Sequence, residues 1–418
     1  MATAHIIGAG LAGLSCAVHL ARAGRRVALY EATPQPGGRC RSFHDRQIDR
    51  LIDNGNHLLL SGNREALRFL DAVGAADSLT GPDTAAFDFY DLRADRSYRL
   101  RPNAGPVPWW VFVAGRRVPG TRFRDYLSIL RLLAAPVGAT VADRIDRKHP
   151  LFERFWEPLT VAAMNTPAEH AAASMMRAVL LRTFLSGGEA CRPLLPRRSL
   201  SASLIDPAIR WLRQAGAEIH LNRRLRAIEP TGGTVERLRF ADRDVDVATD
   251  IVVLAVPPDD CRRLLPDQIT PEEGSMILNA HFAIDPTALP APLPRFVGLL
   301  NGRAQWAFAR EGVISATVSA AVAAEERTQA VAADLWRDVS RPFGLAAAPL
   351  PPYRLLTEKR ATFLQTPENL RRRPKPATAF RNLILAGDWT DTGLPATIEG
   401  AILSGRRAAQ LALARAPL

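Results

Sequence analysis

Three glycines near the start constrain this chain more than any other feature. Gly8, Gly10 and Gly13 stand at G-x-G-x-x-G spacing directly after the apolar run from Ala4 to Ile7. Such spacing serves a strand that turns sharply into a helix. The first glycine permits the turn, the second lets the backbone approach a pyrophosphate, and the third lets the helix lie close to the strand. The spacing predicts a helix from about Leu11 to Ala23, with Leu14, Ala17, Val18 and Ala21 on its buried face and Gly24 at its stop. Its N-terminal amides would face the phosphates. Val27 to Tyr30 reads as the next strand, and Glu31 ends it. A carboxylate there accepts from ribose hydroxyls and disfavours a 2′-phosphate. The chain is therefore expected to hold a dinucleotide.

Two further stretches indicate which one. Gly37-Gly38-Arg39 follows the acidic residue and brings a second glycine loop, with an arginine fork, to the same pyrophosphate. At the other end, Asn382 to Asp388 reads as a buried strand closed by Gly387-Asp388, and a helix is expected from about Ala396 to Arg415. An acidic residue at that strand end suits a ribityl hydroxyl. The helix N-terminus suits a flavin pyrimidine, where negative charge develops on reduction. Adenosine diphosphate at one end and isoalloxazine at the other is FAD rather than NAD.

Bulk properties narrow the class. At 418 residues, 47% hydrophobic and 23% charged, the chain can form two joined globular domains. The net charge is +12, yet the basic clusters (Arg116-Arg117, Arg197-Arg198, Arg223-Arg224, Arg371-Arg372-Arg373) are scattered and carry no nucleic-acid signature. The charge favours anionic surfaces instead. Only Lys148, Lys359 and Lys375 are lysines. Cys16, Cys40, Cys191 and Cys261 have no metal spacing, so no metal is expected and reduced thiols in a cytoplasmic chain are. With the first strand read almost at the first residue, no signal peptide is expected, and no apolar run reaches transmembrane length.

The expected fold class is α/β: a Rossmann-like FAD-binding domain from residues 1–60, 199–260 and 376–418, and an interleaved α+β substrate domain from 61–198 and 261–375. The first domain includes the strand-to-turn element Ile52–His57, a helix Asp206–Gln214, a strand Glu218–Leu221, short strands around Val235–Phe240 and Val245–Val247, and a buried strand Ile251–Val256. In the second, 61–198 reads as mainly helical. Beyond it, Arg295–Val297 and Val313–Val318 read as strands and Ala324–Val339 as a helix.

These residues resemble the FAD-dependent amine oxidase and phytoene desaturase superfamily over the whole chain. A narrower resemblance, to the hydroxysqualene dehydroxylases, lies in Trp156-Glu157-Pro158-Leu159, Met164-Asn165-Thr166-Pro167, Ala171-Ala172-Ala173-Ser174 and Leu194-Leu195-Pro196-Arg197. Asp53 to Leu58, Ala386 to Thr390 and Leu394 to Gly400 fit the same group. The resemblance implies FAD, an apolar C30 isoprenoid alcohol as substrate and squalene as product. It also implies that Gly8, Gly10, Leu11, Ala12 and Gly13 contact the pyrophosphate, and that Glu31 and Ala32 sit at the adenosine ribose. Gly38 and Arg39 would meet the phosphates, Leu225 the adenine, Gly387 and Asp388 the phosphate and ribityl chain, and Thr397 and Ile398 the flavin ring. Asn54, Gly55 and His57 would lie at the flavin's active face. No lysine stands where amine oxidases carry one near the flavin, which counts against amine oxidation.

Removing an allylic hydroxyl requires a hydride, which reduced flavin donates, and a donor that assists hydroxide loss. His57, Asn165, Asp391 and Glu399 are the polar candidates, His57 because it titrates near neutrality. A long apolar pocket would keep water from a developing allylic cation. The electron donor is unidentified. Trp109, Trp110 and Phe112 are followed by Arg116, Arg117, Arg122 and Arg124, and the stretch Phe123–Leu133 places Phe123, Leu127, Leu130 and Leu133 at helical spacing. This pattern fits either a core helix or a contact on the inner face of the cytoplasmic membrane. A carotenoid-type desaturase, an amine oxidase and a flavin-binding protein without turnover are the rival readings.

Overall fold

Five short parallel strands, drawn from distant parts of the chain, form the layer on which the two ends of the polypeptide meet. The computed structural model describes residues 2–272, 274–289, 291–293, 295–321 and 327–415. The strand order is Glu218–His220, Arg26–Tyr30, Thr3–Ile7, Ile251–Leu254, Leu383–Leu385. Every neighbouring pair is parallel. Ile6, Leu29, Val252, Val253, Leu254 and Ile384 are wholly buried, as a parallel sheet covered on both faces requires. The helix expected to end at Ala23 runs Leu11–Arg22, and Gly24, at φ +77°, carries the chain out of it.

The C-terminal helix, Ile398–Ala414, lies directly on the first helix. Gly405 makes this possible: a Cβ there would run into the Ala12 carbonyl and the Ser15 side chain. Ser15 Oγ also donates to the Ile402 carbonyl at 2.8 Å. A three-stranded antiparallel sheet (Ala227–Thr231, Thr234–Arg239, Asp244–Asp246) flanks this layer. Tyr30 stacks between His220 and Phe240 there, with ring centroids 4.9 and 4.7 Å away.

A second, seven-stranded sheet has the order Tyr353–Phe363, Gly274–Ala283, Val313–Ala321, Trp306–Arg310, Arg295–Leu300, Phe87–Asp91, Arg96–Leu100. Period-two alternation gives it two unlike faces. Leu278, Ala280, Phe282, Ile314, Ala316 and Val297 pack under the helix Gln329–Ser340. Asn279, His281, Ser315, Thr317, Trp306 and Phe308 face the other way, as their cross-strand register requires.

Three expectations change here. The helix expected at Ala324–Val339 begins at Gln329, because Thr328 caps it by accepting from the Val331 amide at 3.3 Å; residues 322–326 lie outside the described residues. The stretch 61–198, expected to be mainly helical, contributes the hairpin Phe87–Asp91 and Arg96–Leu100 to the large sheet. Phe123–Leu133 is a 3₁₀ turn, Phe123–Leu127, followed by a short helix, Ser128–Leu133. Of its apolar residues Leu132 is buried, whereas Phe123, Leu127 and Leu130 are exposed.

Candidate functional site

The first turn is built around a carboxylate. Gly8, at φ +108°, donates its amide to the Tyr30 carbonyl at 2.7 Å, and the Ala9 amide donates to Glu31 Oε2 at 2.9 Å. Glu31 Oε1 accepts from the Thr33 amide and hydroxyl at 2.9 and 2.8 Å. Glu31 is buried, so these bonds fix it at the mouth of the turn with Ala32 beside it. A Cβ on Gly13 would strike the Gly8 carbonyl, so helix and turn meet only with glycine there. A Cβ on Gly10, by contrast, would meet nothing within 4 Å. The first turn of the helix, with Leu11 and Ala12 buried behind it, therefore opens onto free space.

The second glycine loop closes on the same space. The Gly37 amide donates to the Ala9 carbonyl at 2.8 Å, and a Cβ on Gly38 would lie 3.6 Å from Gly10 Cα. The strand end at His220 comes alongside as well, its carbonyl accepting from the Glu31 amide at 2.8 Å. The Arg223 amide donates back to Glu31 at 2.7 Å, which carries Leu225 past this edge with its side chain in the core. Two glycine loops, a helix N-terminus and an anchored carboxylate thus surround one cradle. A pyrophosphate and a ribose fit these donors and acceptors.

The far end of the chain reaches this cradle through an ion pair. Arg39 donates to Asp388 Oδ1 at 2.8 Å and to the Ala361 carbonyl, so its fork spans to the other strand end rather than lying free. Gly387 donates its amide to Ser404 Oγ at 2.9 Å, which seats the Asp388 loop on the C-terminal helix. Thr397 caps that helix, accepting from the Gly400 amide at 3.2 Å, and Ile398 begins it.

A polar cluster joins this cradle to the large sheet. Asn54 Nδ2 donates to Glu358 at 3.0 Å, and Asn56 Nδ2 donates to Thr317 Oγ1 at 2.9 Å. Thr317 in turn donates to Asn279 Oδ1 at 3.0 Å. A Cβ on Gly55 would sit 3.6 Å from Asn279 and 3.7 Å from the His57 ring, so the loop lies flat on the sheet face. Asp53 beneath it accepts from Arg310 at 2.8 Å and from the Leu200 amide at 3.0 Å. Beyond Thr317 the same face becomes aromatic, with Trp306, Phe308 and Phe296 in contact. The indole N–H groups of Trp306 and Trp156 are buried without a hydrogen-bond partner among the described residues.

The polar candidates separate clearly in this setting. His57 makes no hydrogen bond among the described residues, and burial pushes its imidazole down to about 4 against the pull of Asp53. It is therefore neutral at physiological pH, not poised near neutrality as its ordinary value suggested. Asn165 is a structural tie. It takes a left-handed conformation at φ +48°, donates to Thr362 Oγ1 at 3.1 Å and accepts from the Ala320 amide at 2.6 Å. Glu399 caps the neighbouring helix Arg64–Ala72, accepting from the Glu65 and Ala66 amides at 3.0 and 2.9 Å. Burial raises its carboxyl, and those two amides oppose the rise. Asp391 is exposed in a turn, accepting from the Gly393 amide at 3.3 Å. All three lysines are exposed as well.

Sequence reasoning missed several members of this site. Asn279 and His281, and likewise Ser315 and Thr317, alternate with apolar residues along their strands; that period-two pattern was the available signal. His281 donates or accepts at Ser315 Oγ, 2.8 Å away, and leaves Nε2 buried and without a partner among the described residues. Arg373, grouped above with a scattered basic cluster, is buried against the Asp388 loop.

A parallel-sheet layer with two glycine loops, closed by the last strand and helix of the same chain, is the frame of a flavin-dependent oxidoreductase. The chain belongs to the flavin-containing amine oxidoreductase family, whose model matches residues 11–413, and it carries that family's flavin cofactor. It is 45% identical to the hydroxysqualene dehydroxylase of Rhodopseudomonas palustris over 99% of this chain and 98% of that one. To the hydroxysqualene dehydroxylase of Zymomonas mobilis it is 43% identical, over 99% of each. Its fold matches the crystal structure of an oxidoreductase from Methanosarcina mazei with a TM-score of 0.70 at 16% identity, covering 98% of this chain and 100% of that one. No helix among the described residues is long and apolar enough to cross a membrane.

Proposed function

We propose that the chain catalyses the reductive removal of the hydroxyl group of hydroxysqualene to give squalene, with FAD as its flavin. The observation that carries this reading is one juxtaposition. The second glycine loop reaches the Asp388 loop through Arg39 and the 54–57 loop through the Arg41 carbonyl, which accepts from the Asn54 amide at 3.0 Å, and the 54–57 loop lies on a sheet face that turns from polar to aromatic. Sequence kinship with two named hydroxysqualene dehydroxylases supports the substrate assignment.

In this reading Gly8, Gly10, Ala12, Gly13 and Gly38 would hold the pyrophosphate, with Arg39, already engaged by Asp388 and the Ala361 carbonyl, at its edge. Glu31 keeps acceptor capacity for the ribose, and the backbone at Leu225 borders the adenine. Asp388 would meet the ribityl chain, and the N-terminus of the Ile398–Ala414 helix would stabilise negative charge on a reduced isoalloxazine. Reduced flavin bound there supplies a hydride. Removal of the allylic hydroxyl as water would consume that hydride at the allylic carbon and one proton at the leaving oxygen, taken up from the medium. His57, neutral and without another partner, donates a hydrogen bond to the leaving oxygen. The unpartnered Trp306 indole offers a second donor. Phe296, Phe308 and Trp306 exclude water that would recapture a developing cation.

Anaerobic incubation of the purified protein with hydroxysqualene and a reductant is expected to yield squalene by mass spectrometry. No squalene from hydroxysqualene, together with oxidation of phytoene under an electron acceptor, overturns the assignment. His57→Ala is expected to lower kcat about 10- to 100-fold with flavin absorbance intact; unchanged turnover removes its role. Glu31→Ala strips a partner from the Ala9 amide and acceptors from the ribose, and is expected to weaken FAD retention at least about tenfold, the worth of roughly one good hydrogen bond to a charged group. Absorbance of the protein after dialysis measures it.

A further inference from the structure

We infer that the segment from Val107 to Leu130 is a docking surface for a phospholipid bilayer with anionic headgroups. Of the twelve large hydrophobic side chains exposed among the described residues, seven fall in this one segment, Val113 among them. They are concentrated rather than scattered, which marks an interaction surface. Phe112 is 65%, Leu130 59% and Leu127 55% exposed.

The two halves of this segment meet at the surface on a firm base. The Phe112 and Phe123 rings lie 5.3 Å apart, and the Arg116 guanidinium sits 4.6 Å over the Trp109 ring. From beneath, the buried Asn103 amide donates to the Gly105 and Val107 carbonyls at 2.9 Å each, and its oxygen accepts from the Trp110 amide at 3.2 Å. Trp110 is buried against Tyr126, whose hydroxyl accepts from the Val118 amide at 2.9 Å. An exposed apolar patch held this rigidly is not a loose loop awaiting a core.

Charge selects the occupant. From Arg96 to Arg124 the chain carries seven arginines and no carboxylate. Arg101, Arg116, Arg122 and Arg124 form no ion pair among the described residues. A second copy docking on this face would set arginine against arginine. An anionic bilayer satisfies both features: acyl chains take the apolar side chains, Trp109 sits at headgroup level, and the arginines meet phosphates. The patch also has a direction. Ring-to-ring contacts run inward from Trp110 through Tyr126, Phe155, Phe184, Phe87 and Phe296 to Trp306 on the sheet face described above, each step between 5.2 and 6.4 Å. Only this last link rests on the proposed reaction; the surface stands without it.

The test is co-sedimentation of the holoprotein with vesicles of equimolar phosphatidylglycerol and phosphatidylcholine, beside vesicles of phosphatidylcholine alone. The wild type is expected to sediment with the anionic vesicles and less with the neutral ones. Phe112→Asp/Phe123→Asp/Leu127→Asp is expected to lower the partition coefficient at least about tenfold. Arg122→Gln/Arg124→Gln is expected to lower it about fivefold or more, each arginine near the surface being worth about that factor. All five positions are exposed, so flavin absorbance and turnover of detergent-dispersed substrate should match wild type. The surface is refuted if the wild type stays in the supernatant, or if both variants sediment as it does. A wild-type dimer that the apolar variant dissociates, without vesicle binding, refutes it too. Vesicle binding by a protein that makes no squalene upholds the surface and sinks the reaction.

Discussion

Arg373→Met is expected to give a protein that purifies nearly colourless and unfolds at lower denaturant, destabilised by about 3–5 kcal/mol, the cost of leaving several buried acceptors without a donor at roughly 1–3 kcal/mol each. The side chain is 6% exposed, and its guanidinium donates to the Leu394 carbonyl at 2.7 Å, to those of Asp388 and Thr390 at 3.0 Å, and to Thr392 Oγ1 at 3.1 Å. It also lies 5.6 Å over the Phe363 ring. It forms no ion pair with a carboxylate among the described residues. Burial pulls its pKa down to about 10, with Asp391 and Asp388 pulling the other way, so it stays charged at neutral pH and is solvated by the loop's own carbonyls. Methionine matches the stem and leaves these acceptors without a donor. The loop they belong to carries Gly387 and Asp388, so flavin retention should fall with stability. Arg373→Lys is expected to restore little, since one ammonium cannot span acceptors arranged for a planar fork. Flavin absorbance per protein and the urea midpoint measure both effects. A methionine variant as yellow and as stable as wild type would falsify the bracing role.

The contrast between Arg373 and Gly13 explains what the sequence could disclose. Gly13 acts through local geometry: a strand, a turn and a helix follow one another, and the helix must touch the turn. All of that is written in adjacent residues. The parallel strands at 251–254 and 383–385 were legible for a related reason, because burial on both faces leaves an unbroken apolar run. Arg373 acts across the fold, and in sequence it is one of three consecutive arginines whose neighbours Arg371 and Arg372 reach the surface. The partners of Glu399 and Asn165 were hidden for the same cause. Each stands inside a motif that resembles a catalytic family, yet their partners at Glu65, Ala66, Thr362 and Ala320 are set by tertiary contacts. The hairpin at 87–100 was missed although Phe87-Asp88-Phe89-Tyr90-Asp91 alternates in burial along its length. Aromatic residues on both sides of the alternation hid the period.

Lowering the pH from 7 towards 4.5 should destabilise the folded protein through two histidines in particular. Burial pushes both His57 and His281 down to about 4, against the pull of Asp53 in each case. Arg39 reinforces the depression at His57 and Arg310 at His281. In the unfolded chain each titrates near its ordinary value of about 6.5. Between those values the unfolded state therefore binds protons that the folded state does not, and stability rises with pH. Their contribution is complete above about 6.5 and is lost progressively as pH falls towards 4. A depression of this size corresponds to about 3 kcal/mol per histidine, since one pKa unit is worth about 1.4 kcal/mol. Carboxyls that burial raises, at Glu157, Asp338 and Glu399, work in the opposite direction over the acid range, so the wild-type profile is a balance of both. The difference between variants isolates the histidines. His281→Asn removes a ring whose Nδ1 meets Ser315 and whose Nε2 has no acceptor to receive a second proton. His57→Asn removes a ring with no hydrogen-bond partner to lose among the described residues. Each single variant should therefore show a shallower fall in unfolding free energy from pH 7 to 4.5 than wild type, and the double variant the shallowest. Urea titrations at fixed pH steps read these slopes. Parallel profiles for wild type and double variant would mean that both imidazoles already take up protons near neutrality, and that His57 meets its substrate as a cation.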